Sequence, residues 1–170
     1  MAETAAEKIK KESKGLRGTL KESLLDEHTG AIRESDQLLI KFHGMYMQDD
    51  RDRREDRAEK KLERLYSYMI RLRLPGGLLT SQQWLALHEV SEQYSSPVIK
   101  ITTRQTIQLH GVLKQDIKPT IKEFDTAKLD SIAACGDVNR NVVVSAHPRF
   151  SAIHEEIFSY AGKLSELLLP

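Results

Sequence analysis

Hydrophobic and polar positions alternate along residues 99–111, IKITTRQTIQLHG, with the period of an extended chain that has two faces. One face is apolar and consists of Ile99, Ile101, Ile107 and Leu109. The other face is cationic or hydrogen-bonding and consists of Lys100, Thr102, Arg104, Thr106, Gln108 and His110. The pattern predicts strands near 98–103 and 106–112 with a tight turn near Arg104, and no carboxylate on the polar face balances its charge.

Three other segments have the apolar period of amphipathic helices. The first follows Thr80, which together with Gln83 has the form of an N-cap and capping box. Its predicted buried stripe consists of Trp84, Leu87, Val90 and Tyr94. The second helix is expected to begin at an Asp116 cap, and its apolar side consists of Ile117, Ile121 and Phe124. The third runs from Phe150 to the end of the chain.

Further strands are predicted at QLLIKFHG (37–44), at the start of YSYMIRLRLPGG (66–77) and at NVVVS (141–145). From the second of these to the last, the order is strand, helix, strand, strand, helix, strand. This is the split βαβ, or ferredoxin-like, arrangement of the α+β class, in which two helices cover one face of an antiparallel sheet. The opposite face stays available for binding, and the polar side of residues 99–111 would lie on it.

The chain divides into four stretches. We expect residues 1–14 to be a disordered or frayed tail, 15–65 an N-terminal extension with a strand and a charged helix, 66–148 the ferredoxin-like half-domain, and 149–170 an amphipathic helix that leads to a further domain. The charged helix contains DDRDRREDRAEKK (49–61), whose interleaved acids and bases are typical of a solvated, salt-bridged helix. A docking surface inside a larger protein is the alternative for this run.

Composition narrows the classes of function. A net charge of +1 over 170 residues argues against a nucleic-acid binder, for which a clear basic excess is expected. With Cys135 as its single cysteine, the chain cannot form an internal disulfide or a complete cysteine-based metal site, so no metal ligands are assigned. No apolar run reaches the length of a membrane span, and the N-terminus lacks the apolar core of a signal peptide. A cytoplasmic location fits these features.

Cationic side chains recur beside the predicted strands, at Arg71, Arg73, Lys100, Arg104, His110 and Arg140. Each alone has an ordinary interpretation as a solvated strand edge or a structural hydrogen bonder. Together they favour an anion-binding face, because buried unpaired cations are costly and arginine donates paired hydrogen bonds to oxyanions. No Ser-His-Asp constellation, phosphate loop or zinc-like histidine spacing is present. The residues alone therefore indicate an anion-binding α+β domain.

Five motifs in order resemble those of the sirohaem-containing sulfite and nitrite reductases: GLRGTL, FHGMYMQDDRD, RLRLPGG, TTRQTIQLHG and DVNRNVVV. The resemblance runs from about residue 14 to the end of the chain. The last three motifs belong to both branches of that family, whereas GLRGTL and FHGMYMQDDRD favour the sulfite branch.

This resemblance implies that the anion is sirohaem, a flat tetrapyrrole with many carboxylates. The positions that match its binding residues are Lys100, Thr102, Arg104, Gln108 and His110. Lys100 stands where arginine is usual, so it keeps the charge but loses the paired geometry. Arg71 and Arg140 match arginines on the distal side of the haem iron, where they would bind sulfite and help to supply protons as S–O bonds break. The intact enzyme would reduce sulfite to sulfide with six electrons, delivered from NADPH through a flavoprotein (alpha) subunit.

The resemblance also implies that much of the enzyme lies outside these residues. Members of the family continue for several hundred residues, which supply the cysteines of a [4Fe–4S] cluster and two active-site lysines. Cys135 matches no cluster ligand, so we expect an N-terminal piece that is inactive alone and binds neither cofactor by itself. Two other interpretations stay open, namely part of a sirohaem nitrite reductase and a non-catalytic module that binds a tetrapyrrole or another polyanion.

Overall fold

The computed structural model describes residues 4–135, 139–145 and 152–170. Its strands are β1 (Met45–Asp49), β2 (Tyr66–Arg71), β3 (Lys100–Ile101) and β4 (Ile107–Val112). They form an antiparallel sheet in the order β1-β2-β4-β3. The helices are α1 (Ala5–Glu12), α2 (Leu20–Leu25), α3 (Glu34–Phe42), α4 (Arg54–Glu59), α5 (Ser81–Tyr94), α6 (Lys114–Thr126) and α7 (Ala152–Leu167), with a short 3-10 turn at Pro75–Gly77. None of the described helices is long and apolar enough to cross a membrane.

One face of the sheet carries the core. Ile70 of β2 lies opposite Leu109 of β4, and both side chains are almost fully buried. Helices α5 and α6 join the same apolar cluster through Leu87 and Phe124 respectively. Burying a side chain of this size contributes about 1.5–3 kcal/mol. The predicted α+β class, with an antiparallel sheet and two helices on one face, is therefore confirmed.

Helix α5 begins as predicted. The Thr80 hydroxyl accepts a hydrogen bond from the Gln83 backbone N–H at 3.1 Å, and the Gln83 side-chain oxygen accepts from the Thr80 N–H at 3.1 Å. This is the complete capping box. The predicted stripe is wrong at one position, because Trp84 is 42% exposed. Helix α6 also begins earlier than predicted, so Asp116 lies in its first turn and does not cap it.

The segment QLLIKFHG is not a strand. Its first six residues end helix α3, and the strand β1 begins only after Gly44, which has a positive φ of 78°. Three consecutive apolar residues, 38–40, fit either period, so alternation there could not separate strand from helix. The buried carboxylate of Asp36, in the first turn of α3, accepts hydrogen bonds from the backbone N–H and hydroxyl of Thr19 at 3.1 and 2.8 Å and so connects this helix to the preceding segment.

NVVVS does not form a strand either, and residues 139–145 have no regular secondary structure. The fourth strand of the sheet is instead β1, which precedes the predicted unit. Residues 141–145 run beside the turns near Gly76 and Gln105, with the Val142 carbonyl accepting from Gly76 N at 2.8 Å and Val144 N donating to the Gln105 side chain at 2.9 Å. Helix α7 is confirmed from Ala152 onwards, whereas Phe150, its expected start, lies outside the described residues.

Candidate anion-binding site

A row of polar side chains crosses the sheet on the face opposite the core. In register, Arg71 of β2 lies opposite Gln108 of β4, and Lys100 of β3 lies opposite the same glutamine on its other side. Their neighbours Ile70 and Leu109 point to the core, so alternation along each strand places the polar row on the second face. The alternation predicted for residues 106–112 therefore positions these groups. The predicted alternation does not hold on β3, because Ile101, expected on the apolar face, is 76% exposed.

A chain of hydrogen bonds runs from Arg71 through Gln108 to His110 and Gln48. With the Gln108 amide turned so that its oxygen faces Arg71, Arg71 Nε donates to it at 3.0 Å and Nη2 donates as well. The amide nitrogen then donates to Nε2 of His110 at 3.2 Å. Because Nε2 accepts, the remaining proton belongs on Nδ1, which donates to the Gln48 side-chain oxygen at 3.2 Å. This arrangement requires a neutral imidazole.

The electrostatics of His110 agree with a neutral ring. Burial lowers its pKa, and the positive charges of Lys100 and Arg71 lower it further. Within the described part of the chain, no carboxylate lies within salt-bridge distance of Arg71, Lys100, Arg104 or Arg140. Among the described residues, these four cations are therefore not neutralised by a carboxylate, which is the electrostatic setting of a site for an anion.

A tight turn between β3 and β4 carries two further residues of the predicted site. Thr102 accepts from the Arg104 backbone N–H at 3.2 Å through its hydroxyl, and its own N–H donates to the Thr106 carbonyl at 2.8 Å. Gln105 completes the turn with a positive φ of 54°. The Arg104 side chain is exposed, so the turn presents its guanidinium at the end of the sheet.

The RLPGG turn after β2 packs directly against this turn. Gly77 has φ of 70°, and a Cβ at that position would lie 2.9 Å from the Gln105 Cβ. A side chain at residue 77 would therefore push the two turns apart. The glycine allows the end of β2, which follows Arg71, to lie beside the turn that carries Arg104.

Asn141 joins the same turns and was not singled out from the sequence. It is 3% exposed, and its side-chain nitrogen donates to the carbonyls of Leu74 at 2.7 Å and Arg104 at 2.9 Å. Its side-chain oxygen accepts from the Leu74 N–H at 2.7 Å. Arg140, the preceding residue, is exposed beside this junction. The only signal in the sequence was the pair of asparagines that flank Arg140.

Cys135 is a buried free cysteine. Burial raises the pKa of its thiol to about 11, although the charges of Arg71 and Arg140 oppose the shift. The thiol donates to the Lys41 carbonyl at 3.6 Å. Among the described residues, no group of three His, Cys, Asp or Glu side chains could hold a metal ion.

Arg73 is outside the site. It donates to Asp130 at 3.1 and 2.7 Å, and to Glu166 and Ser165 of α7 at 2.9 and 3.0 Å. Burial opposes a charged guanidinium, but these carboxylate hydrogen bonds outweigh it and raise the pKa of Arg73. Arg73 thus supports the structure by linking the chain after β2 to α7, while Arg71 stays on the polar face.

A cavity of about 550 Å³ lies elsewhere, between α2, α3 and α6. Its apolar lining includes Leu20, Leu24, Ile40, Ile117 and Ile121. Arg71, Lys100, Arg104 and His110 do not contribute to it. The candidate site is therefore an open face of the sheet and not this apolar cavity.

Comparison with known proteins shows what the chain is similar to. Residues 60–127 match the nitrite/sulfite reductase ferredoxin-like half domain. Over 168 residues it is 65% identical to the sulfite reductase [NADPH] hemoprotein beta-component of Leptospira biflexa, covering 99% of this chain and 30% of the relative. The corresponding protein of Acidithiobacillus ferrooxidans is 53% identical over 164 residues, covering 96% of this chain and 29% of the relative.

The fold agrees with a solved structure. The structure of Mycobacterium tuberculosis NirA protein superposes with a TM-score of 0.70 at 24% identity, covering 88% of this chain and 28% of that one. At this identity the match supports the fold alone. The chain thus spans about 30% of the length of the curated relatives it matches. The family resemblance carried by the sequence motifs is confirmed.

Proposed function

We propose that the chain is the N-terminal part of a sulfite reductase hemoprotein, whose intact form reduces sulfite to sulfide with six electrons. The support is the similarity to sulfite reductase hemoproteins over nearly the whole chain. Those relatives are named for sulfite, which favours sulfite over nitrite as the substrate. The observation that carries the site is the polar row of Arg71, Gln108 and Lys100, whose cations have no described carboxylate partner.

The polar face fits sirohaem, the cofactor that the family implies. A sheet face is broad and flat, and this one offers cations and amide donors without competing carboxylates, as a flat polycarboxylate requires. The residues that would hold the carboxylates are Lys100, Thr102, Arg104, Gln108 and His110. When bound, sirohaem would supply electrons to the sulfur of sulfite. The [4Fe–4S] cluster does not fit this chain, whose single cysteine is buried, so its ligands would come from the rest of the polypeptide.

Arg71 and Arg140 would act on the substrate. Each guanidinium donates hydrogen bonds in a planar fork that suits two oxygens of sulfite. Arg71 is held by the Gln108 oxygen on one side, which orients it without cancelling its charge. Such fixed donors stabilise negative charge as S–O bonds break and the oxygens leave as water. Cys135, with its raised pKa, stays a neutral thiol and adds no negative charge beside them.

The remaining parts of the proposal concern partners. Electrons would come from NADPH through a separate flavoprotein (alpha) subunit, because the relatives are the beta component of an NADPH enzyme. The rest of the hemoprotein chain would complete the cofactor pocket. The 170-residue chain alone would therefore be inactive. A cytoplasmic location follows from the same assignment.

The test is substitution in the intact hemoprotein. We expect Arg71→Ala and Arg140→Ala each to lower sulfite turnover about 100-fold, the usual loss for one oxyanion donor. Sirohaem absorbance should stay unchanged, and Arg33→Ala, at an exposed arginine before α3, serves as the control. Full turnover by either site variant would contradict the proposed role.

The rival interpretations have their own readouts. Preferential use of nitrite in a substrate competition would favour a nitrite reductase. Tight binding of sirohaem by the 170-residue chain alone would favour a tetrapyrrole-binding module.

A further inference from the structure

We propose that Asn141 is a positioning residue. It would fix the position of Arg140, which would contact the substrate, relative to Arg104, which would contact the cofactor. This inference rests on the function proposed above for those two arginines. Asn141 itself would contact neither sulfite nor cofactor, because it is 3% exposed and its amide is hydrogen-bonded inside the protein.

The geometry joins three distant parts of the chain at one side chain. The Asn141 amide pairs with both backbone groups of Leu74, accepting at 2.7 Å and donating at 2.7 Å. Its second N–H points to the turn, where the carbonyls of Arg104 and Gln105 lie at 2.9 and 3.3 Å. All the hydrogen-bonding atoms of the amide are therefore used. The end of β2 and the β3–β4 turn cannot move apart without breaking these bonds.

The backbone of Asn141 completes the connection. Its carbonyl accepts from Arg104 Nη2 at 3.4 Å, and its N–H belongs to the peptide bond that links it to Arg140. The same residue therefore holds the main chain of Arg104 and meets its guanidinium. Because Asn141 directly follows Arg140, anchoring its side chain also anchors the main chain on one side of Arg140. Removing one partner from a buried, fully bonded amide leaves backbone groups without a partner, so the junction would open to admit water.

No common substitution reproduces this arrangement. Asn141→Asp introduces the wrong charge, since it places a carboxylate oxygen against the carbonyls of Leu74 and Arg104. Asn141→Leu keeps the volume but leaves those carbonyls and the Leu74 N–H unbonded in a buried position. Asn141→Gln adds a methylene group to a side chain that is already buried, so the longer amide would have to displace its neighbours.

The test compares Asn141→Asp with Asn139→Asp in the intact hemoprotein. The two variants make the same chemical change on either side of Arg140, but Asn139 is exposed. We expect Asn141→Asp to raise the KM for sulfite about ten-fold or more, because misplaced binding groups lose much of their effect, while Asn139→Asp stays near wild type. Added to Arg140→Ala, Asn141→Asp should raise the KM little further, since it acts through that arginine.

Hydrogen exchange in the cofactor-free protein provides a second readout. The turn amide of Gln105 should exchange faster in Asn141→Asp, while the amides of α5 keep their protection. Should Asn141→Asp fail to fold, Asn141→Ser, which keeps one donor, is measured in the same way. Unchanged exchange at the turn, a wild-type KM, or full additivity with Arg140→Ala would each overturn the inference. If Arg140→Ala itself retained full turnover, the proposed function would fail, and the exchange data would still show whether Asn141 holds the turn.

Discussion

The two faces of the sheet are made by the same strands, but one contributes the packed core and the other contributes polar and charged side chains. On one face, Ile70 and Leu109 are almost fully buried under α5 and α6. On the other, their immediate neighbours Arg71 and Gln108 form a half-buried polar row with uncompensated positive charge. Because adjacent residues alternate faces, a strand can specify stability and binding independently, one residue apart. Variants of neighbouring residues should therefore separate the two properties.

The largest effects on stability are expected on the core face, for example at Leu109. Leu109→Ala creates a cavity in the core and should lower the free energy of unfolding by about 2–5 kcal/mol. The adjacent Gln108→Ala, on the polar face, should cost at most about 1 kcal/mol. Denaturant unfolding of both variants measures the difference. Equal losses would show that the two faces do not divide stability and binding.

A second comparison concerns Arg71, the last residue of β2, and Arg73, two residues later in the chain. Arg73→Ala removes the partner of Asp130 and Glu166 and should cost about 1–2 kcal/mol, less than a fully buried pair because both carboxylates are partly exposed. Arg71→Ala, which breaks only amide contacts on the polar face, should change stability by about 0.5 kcal/mol or less. Thermal unfolding of the two variants checks this order, and a larger loss for Arg71→Ala would reverse the assignment of their roles.

A smaller change in the free energy of unfolding is expected when the pH changes the protonation of His110. The pKa of His110 is lowered from 6.5 in the folded protein, so the unfolded chain takes up the proton first as pH falls. This group therefore contributes stability above pH 6.5 that is lost as pH falls through its folded-state pKa. His110→Gln should flatten that part of the pH dependence, measured as the free energy of unfolding between about pH 8 and about pH 5. An identical slope in the variant would contradict a lowered pKa.

The smallest effect is expected at the edge of the sheet. Ile101 and Ile107 are paired across β3 and β4, but Ile101 is 76% exposed and Ile107 is 3% exposed. Ile101→Ala should therefore change the free energy of unfolding by about 0.5 kcal/mol or less, whereas Ile107→Ala should cost about 2–5 kcal/mol. Denaturant titration distinguishes the two, and a large loss at Ile101 would mean that this edge is covered.

Local signals in the sequence predicted the elements that depend on local contacts. The capping box of Thr80 and Gln83 is complete within four residues, and the alternation of residues 106–112 reports burial on one side of β4. Helix α3 was predicted as a strand because residues 38–40 are all apolar and fit both periods. Asp36 connects this helix to partners 13 and 17 residues away, which periodicity does not report.

In the candidate site, too, contacts between residues far apart in the sequence could not be predicted. Alternation placed Gln108 and His110 on one face, and the structure has them there. Gln48 was not predicted, because its contact with His110 spans 62 residues and requires β1 to pair with β2. NVVVS has the composition of a strand, but its neighbours are turns, where side chains such as Gln105 take the place of a ladder. Such tertiary partners are invisible to periodicity.

The junction at Asn141 also has a consequence for the order in which the protein is assembled. It bonds to residues 67 and 37 positions earlier in the chain, so closing it requires two long loops. During synthesis, the sheet residues are made well before Asn141, and until it arrives the backbone groups of Leu74 and Arg104 must be satisfied by water. A growing chain can thus pair its strands and begin its core face before Arg140 and the bonds of Asn141 are added to the anion-binding face.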